Sequence, residues 1–332
     1  MKEITAVCIL GPGRMGIGIA TALLSANLGL RVYLLDIKER SPGSEHQALE
    51  RARQEVGRNL LLLQDMGEFQ GEIETCLAQL VLTGEASEEL KDCGVVFEAL
   101  PEQPELKQTF LREKEILFHP RAIIASATSS IDLNTFYEAA QHEERIVITH
   151  WLNPAFLIPL VEVATAEKTA GWAIESILGF LKKLGKVPVQ LHNSPGFIIP
   201  RIQVAAMNEA VRIIEEGVAT IEDVDTAIKS GFGFRLAVLG LIEFIDLGGL
   251  DILYFAGRYL QQELGHEHYR SPESVSEKIK RNETGLRSGM GFYDYTDVDT
   301  DALLRRRYRG FVELLNLIRT SYSLDFQGGI KD

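Results

Sequence analysis

Residues 4–29 read ITAVCILGPGRMGIGIATALLSANLG. No other stretch narrows the fold as far. An apolar run over 4–10 leads straight into GPGRMG (11–16), which opens a segment with the spacing of a buried helix and a glycine stop. A strand, a GxGxxG turn and a helix in that order are what a dinucleotide-binding βαβ unit requires. Gly11 permits the tight turn, Gly13 lets backbone approach a pyrophosphate, and Gly16 allows close packing of helix on strand. Arg14 and Met15 complete the turn, and the helix N-terminus offers amide N–H groups to the anion. The next apolar run, RVYLLD (31–36), ends in Asp36. A carboxylate there accepts hydrogen bonds from ribose hydroxyls and repels a 2′-phosphate, so the expected cofactor is NAD rather than NADP. Arg40 is the competing signal nearby.

The alternation continues through GVVFEAL (94–100), AIIASAT (122–128) and RIVITHW (145–151), with VEVAT (161–165) and VPVQLHN (187–193) closing the series. Between them lie amphipathic segments, including a long helix over 50–67. This pattern predicts an α/β fold: a Rossmann-type domain with a mostly parallel sheet over 1–192. At NSPGF (193–197) a turn signal changes the character, and helical spacing follows over 202–217 and 220–228. Thr220 with Asp223 makes a capping pattern. The expected second domain is all-α, over 193–332, with an extra amphipathic helix from about residue 303.

Composition removes other classes. The chain has 332 residues, 45% of them hydrophobic, and a formal charge of −13. No basic stripe suits a nucleic-acid partner. The cluster Arg305, Arg306, Arg307 and Arg309 reads as a solvated helix face. Cys8, Cys76 and Cys93 match no disulfide framework or metal motif, which fits a reducing, cytoplasmic setting. His266 and His268 are two apart and read as a surface loop, so no metal is expected. The N-terminus does not read as a signal peptide, and no apolar stretch approaches the ~18 residues of a membrane span.

ITHWLNPAFLIPLVEV (148–163) sets His150, Asn153 and Glu162 in otherwise apolar sequence. Buried polar groups need partners, so these three either satisfy one another or serve chemistry. His150 falls at a strand end, where ligands of open α/β sheets bind. Glu162 can fold back across the Pro154–Pro159 turn onto the imidazole, fixing its tautomer. Ser129 and Asn153 are placed to bind a substrate oxygen. With a nicotinamide, these are the parts needed to oxidise a secondary alcohol.

GPGRMG, EALPEQPELK (98–107), ATSSI (127–131), HWLNP (150–154), LVEV (160–163), NSPGF and GLRSGMGFYDY (285–295) occur in an order that resembles the 3-hydroxyacyl-CoA dehydrogenase family over the first 295 residues. The resemblance implies His150 as general base, Glu162 as its orienting partner, and Ser129 and Asn153 on the substrate oxygen. It implies Glu102, Lys107 and Ser129 near the cofactor, with Arg287 in the place of a family lysine near the nicotinamide. It also implies a homodimer formed through the helical domain and a setting in fatty acid metabolism.

Three departures stand out. Pro200 replaces a family asparagine. Asn59 and Met66 stand where the family carries a serine and a lysine that meet CoA, which weakens the case for CoA. GFGFRLAVLGLIEF (231–244) resembles the branch containing L-gulonate 3-dehydrogenase and lambda-crystallin. There Arg235 reads either as a clamp on a substrate carboxylate or as an ion pair with Glu243 or Asp246. The leading expectation is NAD-dependent oxidation or reduction of a 3-hydroxyacyl-CoA. The alternatives are a dehydrogenase of a small free 3-hydroxy acid, and an NAD-binding structural protein without turnover, which Pro200 motivates.

Overall fold

Eight apolar runs pair into one sheet in the computed structural model, which describes residues 4–38, 44–84 and 87–321. The strands are β1 (Ala6–Leu10), β2 (Arg31–Leu35), β3 (Leu80–Thr83), β4 (Val95–Glu98), β5 (Ile123–Ser126), β6 (Ile146–Trp151), β7 (Leu160–Thr165) and β8 (Val187–His192). Their order is β3-β2-β1-β4-β5-β6-β7-β8. The chain runs outward from β1 to β3, then crosses back to β4. That reversal opens the ligand crevice at the carboxyl ends of β1 and β4. Every pairing is parallel except β6 with β7.

Both faces of the sheet are covered, which is why the central strands read as continuous apolar runs rather than alternating ones. Val7, Ile9, Val32 and Leu34 pack toward helices α1 (Arg14–Ser25) and α2 (Ser44–Asp65). Cys8, Leu10, Tyr33 and Leu35 fill the core on the other face. All three cysteines are buried and free. At the start of β6, the fully buried Arg145 pairs with Glu115 at 2.8 Å and donates to the carbonyl of Ala122, fixing the strand that carries His150.

The molecule divides into two compact units between Ala205 and Ala206, inside the helix Ile199–Glu215. The amides of Ile198 and Ile199 bond to Glu162 on β7 and hold the helix start on the sheet. The second unit is helical, with Ile221–Ala227, Leu241–Gly248, Leu250–Leu264, Glu273–Lys280 and Thr300–Ser321. Thr220 caps the first of these by accepting from the amide of Asp223. The last helix begins before residue 303 because Asp299 accepts from the amide of Ala302. Among the described residues no helix is long and apolar enough to cross a membrane. No group of three or more His, Cys, Asp or Glu is placed among them to hold a metal ion.

Candidate active site

Antiparallel pairing of β6 and β7 sets His150 opposite Glu162 in register. Such cross-strand neighbours point to the same face. His150 Nδ1 lies 2.7 Å from Glu162 Oε2, and both side chains are buried. The other carboxylate oxygen accepts from the amides of Ile198 and Ile199, each at 2.9 Å. Burial works to raise the Glu162 pKa, but the bond to His150 and these two amides outweigh it and hold the carboxyl below its ordinary range. A carboxylate on Nδ1 assigns the proton to that nitrogen and leaves Nε2 as a proton acceptor. The ring of Phe197 covers the imidazole, with centroids 5.4 Å apart.

Pro200 does not disturb this dyad. It stands in the first turn of its helix, where the missing N–H has no intrahelical partner to lose. The donors to Glu162 come from the two residues before it.

Ser129 lies three residues beyond β5, next to β6 in the sheet, so it leaves the sheet at the same edge as His150. Its loop is gathered on one oxygen of Glu102, which accepts from Thr128 Oγ1 (2.5 Å) and from the amides of Ser129 (2.9 Å) and Ser130 (3.1 Å). The Ser129 hydroxyl donates to the same oxygen at only 3.3 Å, so turning it toward a substrate costs little. Burial pushes the Glu102 pKa up. The Thr128 hydroxyl, the Lys107 charge and the loop amides overcome that and keep it ionised below its ordinary range.

Lys107 is enclosed by protein groups at the end of β4. It is fully buried, and its ammonium donates to both oxygens of Glu98 (2.8 and 3.0 Å) and to the carbonyl of Leu100 (3.2 Å). Glu98 also accepts from Ser126 Oγ. With its donors spent on Glu98 and Leu100, Lys107 still lies 3.4 Å from Glu102 and supports its charge.

The glycine turn fits NAD. Gly11 has φ +97°, and a Cβ there would lie 2.9 Å from the carbonyl of Ala99. A Cβ on Gly16 would strike the Gly11 carbonyl at 2.0 Å, while the corresponding position on Gly13 is open for a ligand. α1 has no side-chain cap and no acidic residue in its first turn, so its N-terminal amides remain available to phosphate. Asp36, just past β2, is buried and accepts from the amide of Lys38 at 3.2 Å. Arg40 lies outside the described residues.

Beside this turn is a cleft of about 650 Å³ lined by Pro12 and Arg14, by Arg51, Arg58 and Asn59 of α2, and by Asn153. It joins the glycine turn to the β6–β7 loop, which rests on α1 where Ala155 meets Gly18. Three arginines, Arg14, Arg51 and Arg58, and one carboxylate, Glu55, line it. Met66 is exposed past the end of α2 and is not among the residues lining the cleft. Sequence reasoning missed Arg51 and Arg58. Their spacing of seven on a helix, a shared face, was the available signal.

In the second unit Arg235 pairs with neither expected acid. Glu243 is taken by Arg307 at 2.6 Å, and Asp246 accepts from the amides of Phe292 and Tyr293 and from the Tyr295 hydroxyl. Arg235 stacks over Phe244, 5.3 Å from the ring centroid. Arg287 is bonded to both oxygens of Asp251 at 2.9 Å.

The chain matches the family model "3-hydroxyacyl-CoA dehydrogenase, NAD binding domain" over residues 6–194 and the C-terminal domain of the same family over 196–295. It is 31% identical to human mitochondrial hydroxyacyl-coenzyme A dehydrogenase, covering 87% of this chain and 90% of that one. It is also 31% identical to the 5-formyl-3-hydroxy-2-methylpyridine 4-carboxylate 5-dehydrogenase of Mesorhizobium japonicum, over 94% and 97%. A crystal structure of the Archaeoglobus fulgidus 3-hydroxyacyl-CoA dehydrogenase superposes with a TM-score of 0.74 at 32% identity, covering 95% of this chain and all of that one. Its cofactor is NAD, and the chain belongs to the 3-hydroxyacyl-CoA dehydrogenase family of oxidoreductases.

Proposed function

We propose that the protein interconverts a 3-hydroxyacyl-CoA and its 3-oxoacyl-CoA. The observation that carries this reading is the cleft lined by Arg14, Arg51 and Arg58 against one carboxylate, Glu55, which joins the cofactor turn to Asn153 and offers a net positive charge to the phosphates of a CoA carrier. His150 Nε2 accepts the substrate hydroxyl proton, and ionised Glu162 stabilises the imidazolium that forms. Ser129 and Asn153 hold the substrate oxygen, and Glu102 with Lys107 keeps the Ser129 loop in place. Bound NAD⁺ supplies the hydride acceptor. The exposed apolar stripes Val204, Met207 and Val211 on one helix, and Ile252, Phe255 and Tyr259 on another, support a homodimer formed through these helices.

The test is NADH oxidation with acetoacetyl-CoA beside acetoacetate. The thioester should lead in kcat/KM by about tenfold or more, the ratio that ~1.4 kcal/mol of carrier binding gives. A preference for acetoacetate or another free 3-oxo acid sinks the CoA reading. Arg235 favours that second reading: a guanidinium with no carboxylate partner among the described residues can take one from a substrate, and the Mesorhizobium relative is named for a carboxylate.

A further inference from the structure

Lys186 stands directly before β8 and is 8% exposed. Its ammonium donates to the carbonyl of Ala155 at 2.7 Å and of Ile158 at 2.9 Å, and lies 5.7 Å from the centre of the Trp151 ring. The next amide, Val187 N, donates to Pro159 O at 2.8 Å. Among the described residues no carboxylate forms an ion pair with Lys186. Burial pulls its pKa down to about 8.

A buried ammonium without an anion is costly, and an apolar side chain of similar length would fill the space without that penalty. What the charge holds is the connection from β6 to β7. This loop begins at the cis Asn153–Pro154 bond and makes one turn, in which the amides of Leu157 and Ile158 both donate to the Pro154 carbonyl. On one side Ala155 rests on α1 at Gly18. Lys186 binds the carbonyl of that same residue and of Ile158. Phe156, between these holds, and Asn153, just before them, line the cleft.

We propose that Lys186 is a positioning residue for the reaction: by fixing the carbonyls of Ala155 and Ile158 it sets where Asn153 and Phe156 meet the substrate, without touching substrate itself. The geometry explains why one lysine serves two carbonyls. Its three N–H donors diverge from one point, and two of them span the turn. The charge strengthens both bonds. The proposal rests on the acyl-CoA reading only for its choice of assay substrate.

The experiment compares wild type, Lys186→Met and Lys186→Arg with acetoacetyl-CoA and NADH, normalised to NADH-binding sites measured by fluorescence. Methionine keeps the length and cannot donate. Arginine keeps charge and donors. The expected result is a fall in kcat/KM of about tenfold or more for Lys186→Met, the scale of a small misplacement near reacting groups, with NADH affinity unchanged and most of the loss restored in Lys186→Arg. A normalised kcat/KM in Lys186→Met equal to wild type, with only the melting temperature lowered, overturns the proposal. So does a Lys186→Arg variant no better than Lys186→Met. If Lys186→Met does not fold, Lys186→Leu, which also cannot donate, carries the same comparison. Failure of the wild type itself on acetoacetyl-CoA strikes the substrate reading instead, and the same proteins are then compared on the free 3-oxo acid that turns over.

Discussion

Two parts of the first unit hold their charges in opposite ways. At the β6–β7 pairing, one imidazole and one carboxylate are buried, in register, and every carboxylate oxygen has a named donor. On α2, Arg51 and Arg58 are exposed along a cleft, where Arg58 leans on Glu55 and Arg51 on the carbonyl of Gln47. Proton transfer needs a fixed distance, which the fully bonded first arrangement can supply. Holding the phosphates of the proposed CoA carrier would need only a field at the right place, which a solvated pair can supply. Changes at the dyad should therefore act on turnover, and changes on α2 on affinity.

The largest expected effect is at His150. His150→Gln should lower kcat/KM by about a thousandfold, within the range for a positioned general base, while NADH fluorescence titration gives an unchanged affinity. Full activity in that variant would dissolve the contrast. Glu162→Gln should cost about a hundredfold: a carboxamide N–H aimed at Nδ1 moves the imidazole proton to Nε2 and removes the base. The comparison sharpens with Arg51→Ala/Arg58→Ala. The KM for acetoacetyl-CoA should rise roughly fivefold at low salt and less at high salt, with kcat intact, as two exposed cations would give. A fall in kcat at constant KM would assign those arginines to the chemistry.

Acid titration gives a further check with a defined sign. The folded pKa of Glu162 is depressed below the unfolded value of about 4.3. Its stabilising contribution is thus fully present above that pH and is lost as pH falls through the lower folded value. Melting temperatures measured below pH ~4.3 should drop less steeply in Glu162→Gln than in wild type. Equal slopes would show that the carboxyl is not held ionised by its neighbours. The smallest effect belongs to Pro200→Asn. Because the donors to Glu162 are backbone amides of the two preceding residues, kcat/KM should stay within about twofold, a shift of under half a kcal/mol.

Much of the first unit was legible because its signals are local. A glycine turn must follow its strand, and an apolar run buried on both faces shows as a run. The His150–Glu162 partnership was legible as well, since twelve residues with two prolines leave the chain little choice but to turn back. What sequence could not give is whatever depends on a distant backbone. Lys186 follows a helix and a glycine, where a lysine is ordinary. Its partners are two carbonyls some thirty residues earlier, and carbonyls leave no mark in a sequence. Lys107 shows the converse: its place in a motif was visible, but not that Glu98 would enclose it. Asp246 in the second unit was named only as a candidate partner for Arg235. It proves to be why GLRSGMGFYDY is rich in glycine, because a Cβ at Gly285 or Gly291 would strike it at 2.2–2.3 Å.

A crystal structure with NAD and acetoacetyl-CoA bound together tests His150 as the base most directly. His150 Nε2 should lie about 2.6–3.2 Å from the 3-oxo oxygen, with Nδ1 still on Glu162. An Nε2 turned away from that oxygen and closed off by protein, while the thioester lies in a productive pose beside the nicotinamide, would contradict it.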